Sequence, residues 1–217
     1  MKEAISTQTK TLVENIVNHP EIKKLLAKLR KHHPDSYQHS IRVGMYAAEL
    51  GRINKLSSDD IDLLAKAGLL HDLGKCDIEK DILDNPGELD DAQRARINHH
   101  PHLAFIKLTS PEFDEVRKIV VAHHESKTNL YPRSGNDRRG HIRSFKERRK
   151  TDPRIVYLTQ IVAAADIYDA LKEPRSYKKP YSLSKITDIM LNTYIGNQEY
   201  IKQVLGLNIP DTKTIDL

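Results

Sequence analysis

The 217-residue sequence predicts an all-α protein, and three observations carry that expectation. Apolar residues recur at steps of three and four through most of the chain, the spacing that gathers side chains on one face of a helix. No segment sustains the alternation of apolar and polar residues expected of a half-buried strand. Serine, aspartate and proline stand where the apolar stripes begin, as helix caps and first-turn residues do.

Residues 1–32 are expected to form an N-terminal helical segment packing on the core. After Pro34, the positions His39, Val43, Tyr46, Ala47 and Leu50 share one face. Ser57, Ser58, Asp59 and Asp60 give a capping signal ahead of Ile61, Leu64, Ala65, Gly68, His71 and Asp72. Residues 84–90 (DNPGELD) read as a turn. Residues 111–124 bring Val116, Ile119, Val120, His123 and His124 together behind Pro111, and residues 152–171 do the same with Ile155, Leu158, Val162, Ala165, Asp166 and Asp169. A second loop is expected at 172–180 (KEPRSYKKP), and residues 186–217 are read as C-terminal helices and a tail. Between 126 and 152, polar and basic residues run with Ile142 and Phe145 as isolated apolar points. A loop of that length inside a domain is usually a lid, a binding segment or disordered. The chain thus divides into 1–32, a main domain at 33–185 carrying the insert 126–152, and 186–217.

Composition narrows the function classes. Hydrophobic residues make up 38% and charged residues 30% of the chain, enough aliphatic material for a core and too much for global disorder. No run approaches the ~20 uninterrupted apolar residues of a membrane helix. The N-terminal MKEAISTQTK lacks an apolar signal core, and the single cysteine, Cys76, cannot form an internal disulfide, so a cytoplasmic location is expected. Net charge is +5, but residues 133–154 hold nine basic residues against three acidic ones, a local charge of +6. The basic character therefore belongs to the insert, which weakens a whole-chain case for nucleic-acid binding, and Phe145 alone makes no stacking platform. The insert's arginines, among them Arg138, Arg139, Arg148 and Arg149, are open to four readings: reaching over a cleft toward an anionic substrate, binding nucleic acid, meeting an acidic protein partner, or simple solvation.

Histidine is the informative residue, at 11 in a chain without tryptophan. His39, the pair His71 and Asp72, His100, the pair His123 and His124, and Asp166 each lie on or beside an apolar stripe. Buried imidazoles and carboxylates are costly unless paired or bound to metal. Any one of these histidines alone reads as a satisfied core residue or a surface one. Arriving together from five helical segments, they predict a metal centre.

These residues also stand in motifs. His39 opens HSIRV; His71 and Asp72 open HDLGK; NPGELDDAQRARINHHP leads to His100 before Pro101; His123, His124 and Glu125 read H-H-E; Asp166 and Asp169 stand in ADIYDAL, followed by RSYK at 175–178. In this order they resemble the HD superfamily of metal-dependent phosphohydrolases and, within it, the HD-GYP branch, over roughly residues 33–185. After H-H-E the branch reads x-x-D-G-x-G-Y-P, whereas this chain reads SKTNLYP, keeping Tyr131 and Pro132 without the Asp or the glycines. Ala104 likewise replaces a branch glycine.

The resemblance implies an HD-domain helical bundle and a phosphodiesterase similar to the cyclic di-GMP-hydrolysing enzymes of the branch. Hydrolysis of another nucleotide or phosphoester is an alternative, and so is a regulatory module that keeps metal without turnover. Phosphodiester cleavage needs hydroxide at neutral pH and cations beside the phosphoryl oxygens, which two metals ~3.5–4 Å apart supply. The resemblance assigns His39, His71, Asp72 and Asp166 to one metal and Asp72, His100, His123 and His124 to the other, with Asp72 as the bridge. Imidazole and carboxylate without thiolate favour Fe or Mn, with Zn or Ni compatible. Asp35 falls where some members hold a third metal; its alternative is a helix cap after Pro34. Lys75 would place an ammonium against a phosphate oxygen, or is an ordinary helix-end lysine. Asp169 would hydrogen-bond a ligand histidine. Arg175, Lys178 and Tyr131 are the expected substrate contacts, the first two with an ordinary basic loop as their alternative. Cys76 reads as a small core residue near the site.

Overall fold

Ser6 opens the first helix by accepting the Thr9 backbone N–H on its hydroxyl, and α1 runs Thr7–Val17. That end is fastened by a carboxylate from far along the chain. Glu49 Oε2 accepts from Ser6 Oγ at 2.9 Å, from Thr9 Oγ1 at 2.5 Å and from Ser6 N at 3.3 Å. The computed structural model describes residues 3–126, 152–173, 180–209, 212 and 215.

Proline at the first position starts α2, Pro20–His32, and α3, Pro34–Ile53. The cap of α3 is His33, whose Nδ1 accepts the Ser36 N–H at 3.1 Å. Ser57 caps α4, Ser58–Leu70, as the capping signal predicts. A 3-10 turn at Leu73–Asp77 and α5, Lys80–Leu83, follow. Asp90 and Gln93 form a reciprocal capping box on α6, Asp91–Asn98. Next come α7, His100–Lys107, a second 3-10 turn at Pro111–Phe113, and α8, Asp114–Ala122. Asp152 caps α9, Pro153–Lys172, and Ser182 caps α10, Leu183–Thr193, so that α10 spans the boundary expected at 185; α11 is Glu199–Gly206.

The all-α expectation holds, with one small addition. Two-residue strands, β1 at Glu3–Ala4 and β2 at Leu207–Asn208, pair in parallel. They are too short to leave an alternation in the sequence.

The core is built around α3 and α9, whose stripes are buried almost all round: Ile41, Val43, Met45, Tyr46, Ala47 and Leu50 from one, Leu158, Ile161, Val162, Ala164, Ala165 and Tyr168 from the other. Helix α4 lies close against α3 because two glycines meet there. A Cβ on Gly68 would come within 2.7 Å of the Gly44 Cα. No described helix is long and apolar enough to cross a membrane.

Two helix ends differ from the expectation. Helix α4 stops at Leu70, so His71 is its C-cap and Asp72 lies in the turn beyond; α8 stops at Ala122, so His123 is its C-cap and His124 follows in the turn. The predicted 111–124 helix also has a 3-10 first turn, set by Pro111. Periodicity tells which residues face inward, not where the backbone leaves the helix.

Candidate metal centre

Five elements converge on one buried point. Helix α3 supplies His39, the end of α4 His71 and Asp72, the start of α7 His100, the end of α8 His123 and His124, and α9 Asp166. All are buried except His124, whose side chain is 13% exposed.

Three of the imidazoles are aimed by the backbone. His71 Nδ1 donates to the Gly68 carbonyl at 2.8 Å, His100 Nδ1 to Ile97 at 2.7 Å and His123 Nδ1 to Val120 at 2.5 Å. Each carbonyl lies three residues back, in the last turn of a helix, where carbonyls lack intrahelical partners. A carbonyl only accepts, so Nδ1 carries the hydrogen and Nε2 presents its lone pair in the neutral ring. Burial pushes His71 and His123 down from the usual imidazole range and His100 down to about 4, which keeps these rings neutral.

The lone pairs then face one another and the carboxylates. His100 Nε2 lies 3.4 Å from His123 Nε2 and 3.2 Å from Asp72 Oδ1. His71 Nε2 makes no hydrogen bond; it lies 3.5 Å from Asp72 Oδ2 and 3.8 Å from Asp166 Oδ1. His39 Nε2 is 3.1 Å from Asp166 Oδ1 and 3.8 Å from Asp72 Oδ2. Two neutral acceptors opposed at 3.4 Å, beside the ionised Asp72, are poorly satisfied by each other and well satisfied by a cation. The donors of His39, His71 and Asp166 lie within 4.8 Å of one another, as do those of His100, His123 and His124, and of His71, Asp72 and His123. Asp72 turns Oδ2 to the first group and Oδ1 to His100 of the second. These residues fit a pair of divalent ions.

Charge within the site is arranged around Asp72. Burial would raise its carboxyl, but Lys75 and the neighbouring imidazoles hold it well below the usual carboxylate range. Lys75 Nζ donates to Asp72 Oδ2 at 2.6 Å. His39 differs from the other rings: burial pulls it down, but its bonds to Asp166 and Asp169 outweigh this and leave it raised. Its Nδ1 donates to Asp169 Oδ2 at 2.7 Å. Sequence reading overlooked the next residue out. Arg42, in HSIRV itself, holds Asp169 with two hydrogen bonds; its signal was the paired spacing of His39 with Arg42 and of Asp166 with Asp169.

The remaining expected residues stand apart. Asp35 is exposed in the first turn of α3, belongs to none of these donor groups, and does not cap the helix, a role His33 takes. Cys76 is half-buried against the core and burial raises its thiol. Tyr131, Arg175, Lys178 and residues 133–151 of the basic insert lie outside the described residues. Arg154 is described, and its charge is used within the bundle: Nε donates to Asp60 at 2.6 Å and Nη1 to Glu115 at 2.7 Å.

The sequence matches the HD domain family over residues 36–171. The 3'3'-cGAMP-specific phosphodiesterase 3 of Vibrio cholerae is 32% identical over 188 residues, covering 83% of this chain and 37% of that protein. A cyclic di-GMP phosphodiesterase of Thermotoga maritima is 29% identical over 168 residues, covering 76% and 41%. The chain therefore spans well under half the length of either relative. Among solved structures, the HD domain of the L. monocytogenes phosphodiesterase PgpH shares the fold, with a TM-score of 0.51 at 19% identity, covering 91% of this chain and 92% of that one.

Proposed function

Because the chain belongs to the HD domain family, we propose that it is a metal-dependent phosphodiesterase acting on a cyclic dinucleotide. The observation that carries this reading is the opposed pair of lone pairs on His100 and His123, with Asp72 dividing its oxygens between two donor groups. In this reading His39, His71, Asp72 and Asp166 hold one divalent ion and Asp72, His100, His123 and His124 the other. The nitrogen and oxygen donors suit Fe or Mn, and also Zn or Ni. Ions held there supply a nucleophile at neutral pH and positive charge against the phosphoryl oxygens.

The chain's own residues do the rest. The carbonyls of Gly68, Ile97 and Val120 keep three rings in the tautomer that ligates. Lys75 sets its ammonium on Asp72, where in this reading it would meet a phosphate oxygen as charge develops. The relatives named above act on 3'3'-cGAMP and on cyclic di-GMP, which is why a cyclic dinucleotide is the proposed substrate class.

The test combines metal analysis of purified protein with hydrolysis of cyclic di-GMP, 3'3'-cGAMP and a simple phosphodiester. Wild type is expected to carry two equivalents of metal and to open at least one cyclic dinucleotide. Asp72→Ala should lose most metal and all hydrolysis while keeping its helical circular dichroism. An Asp72→Ala protein with unchanged metal content and activity would overturn the proposal.

A further inference from the structure

His71, His100 and His123 are aimed by backbone carbonyls, which cannot turn away. His39 is aimed by a side chain. Its Nδ1 donates to Asp169 Oδ2 at 2.7 Å, and a carboxylate held only by that bond could rotate and take the ring with it. Arg42 removes that freedom. Its Nε donates to Asp169 Oδ1 at 2.7 Å and its Nη2 to Oδ2 at 2.9 Å, a two-pronged contact that fixes the plane of the carboxylate. Asp169 is fully buried and Arg42 partly so, with side-chain exposure of 18%.

The arrangement is a cross-brace between two helices. On α3, Arg42 stands one turn beyond His39; on α9, Asp169 stands one turn beyond Asp166. His39 meets Asp166 through Nε2 on the inner turn and Asp169 through Nδ1 on the outer one.

We infer that Arg42 is a positioning residue for metal binding, acting through Asp169 to set the tautomer and the angle of His39. The inference rests on the metal reading above and refines it, because it assigns Arg42 to one ion only. His39 belongs to the donor group with His71 and Asp166, whereas His100, His123 and His124 form a separate group without it.

The experiment is a cobalt(II) titration of the metal-free full chain, followed by visible absorption and by chelator competition, for wild type, Arg42→Met, Arg42→Lys and Asp169→Asn. Wild type should bind two equivalents. Arg42→Met should weaken one of them by about 10- to 100-fold and alter its absorption bands, leaving the other unchanged. Arg42→Lys keeps a charge but not the fork, and should fall closer to Arg42→Met than to wild type. Adding Arg42→Met to Asp169→Asn should weaken that equivalent no further. If Arg42→Met does not fold, Arg42→Lys carries the same comparison. Two equivalents of unchanged affinity and spectrum in the Arg42 variants, or equal weakening of both, would overturn the inference while leaving the metal reading intact. A wild-type chain that takes up no cobalt overturns both.

Discussion

Lys75 and a metal ion have the same claim on Asp72. The ammonium donates to Oδ2, the oxygen that also faces His39 and His71. Removing it should leave metal binding intact or tighter, since a competing positive charge is gone. If its work is on the phosphate, Lys75→Ala should lower hydrolysis of the cyclic dinucleotide by about 100-fold or more; metal loss in this variant would instead mark Lys75 as structural. The buried imidazoles make a second prediction, for the metal-free protein. An unfolded histidine titrates at about 6.5, while burial holds folded His100 at about 4 and lowers His71 and His123 in the same sense. Between those values the unfolded chain binds protons that the folded one refuses, so stability falls as pH drops through that window. His39 is raised and acts oppositely, its contribution being lost as pH rises, but it is one ring against three. Chelator-treated protein should therefore melt lower at pH 5 than at pH 7.5, and equal melting temperatures would contradict this. The ligand candidates were legible because each interrupts an apolar stripe. Arg42 was overlooked because its signal is faint: an arginine on a helix is ordinary, and the matching three-residue step from Asp166 to Asp169 lies 127 positions away.

The helices were legible from their stripes and caps, but the site depends on how they end and touch. His71 and His123 each close the helix that carries them by donating to a carbonyl three residues back. The side chains that terminate these helices are thus the ones that face the centre, which explains why the predicted helices ran too long at both places. Gly74 shows the same dependence between elements. A Cβ there would meet the His100 carbonyl oxygen at 2.0 Å and the Ala104 nitrogen at 2.7 Å, so the 3-10 turn after Asp72 rests directly on the first turn of α7. Gly74→Ala must push α7 away, and His100 with it. The expected cost is roughly 1–3 kcal/mol in denaturant unfolding, the usual range for overpacking, together with weaker metal binding on the His100 side. A variant as stable as wild type with full metal affinity would show that α7 yields without moving His100.

Across the whole molecule, the candidate centre draws residues from α3, α4, α7, α8 and α9, so an ion bound there would link metal binding to folding. An ion at 100 times its dissociation constant stabilises the folded state by about 2.7 kcal/mol, or roughly 5–10 °C in Tm for a chain of this size. Chelation should lower the melting temperature of wild type by that order and leave Asp72→Ala unaffected; a chelator-insensitive wild type would argue against the linkage. The helical class was legible in the sequence, whereas the pairing of β1 with β2 was not, because it joins two residues near each end of the chain. The local charge of +6 was legible too, but Arg154 within it serves Asp60 and Glu115, a use that only the folded helices reveal. The clasp of Glu49 on Ser6 and Thr9 shares its helix with the candidate metal centre. Glu49 and His39 lie on the same unbroken helix, ten residues or about 15 Å apart at the ordinary rise. The fastening of the first helix and one wall of the candidate metal centre are therefore two ends of a single rod.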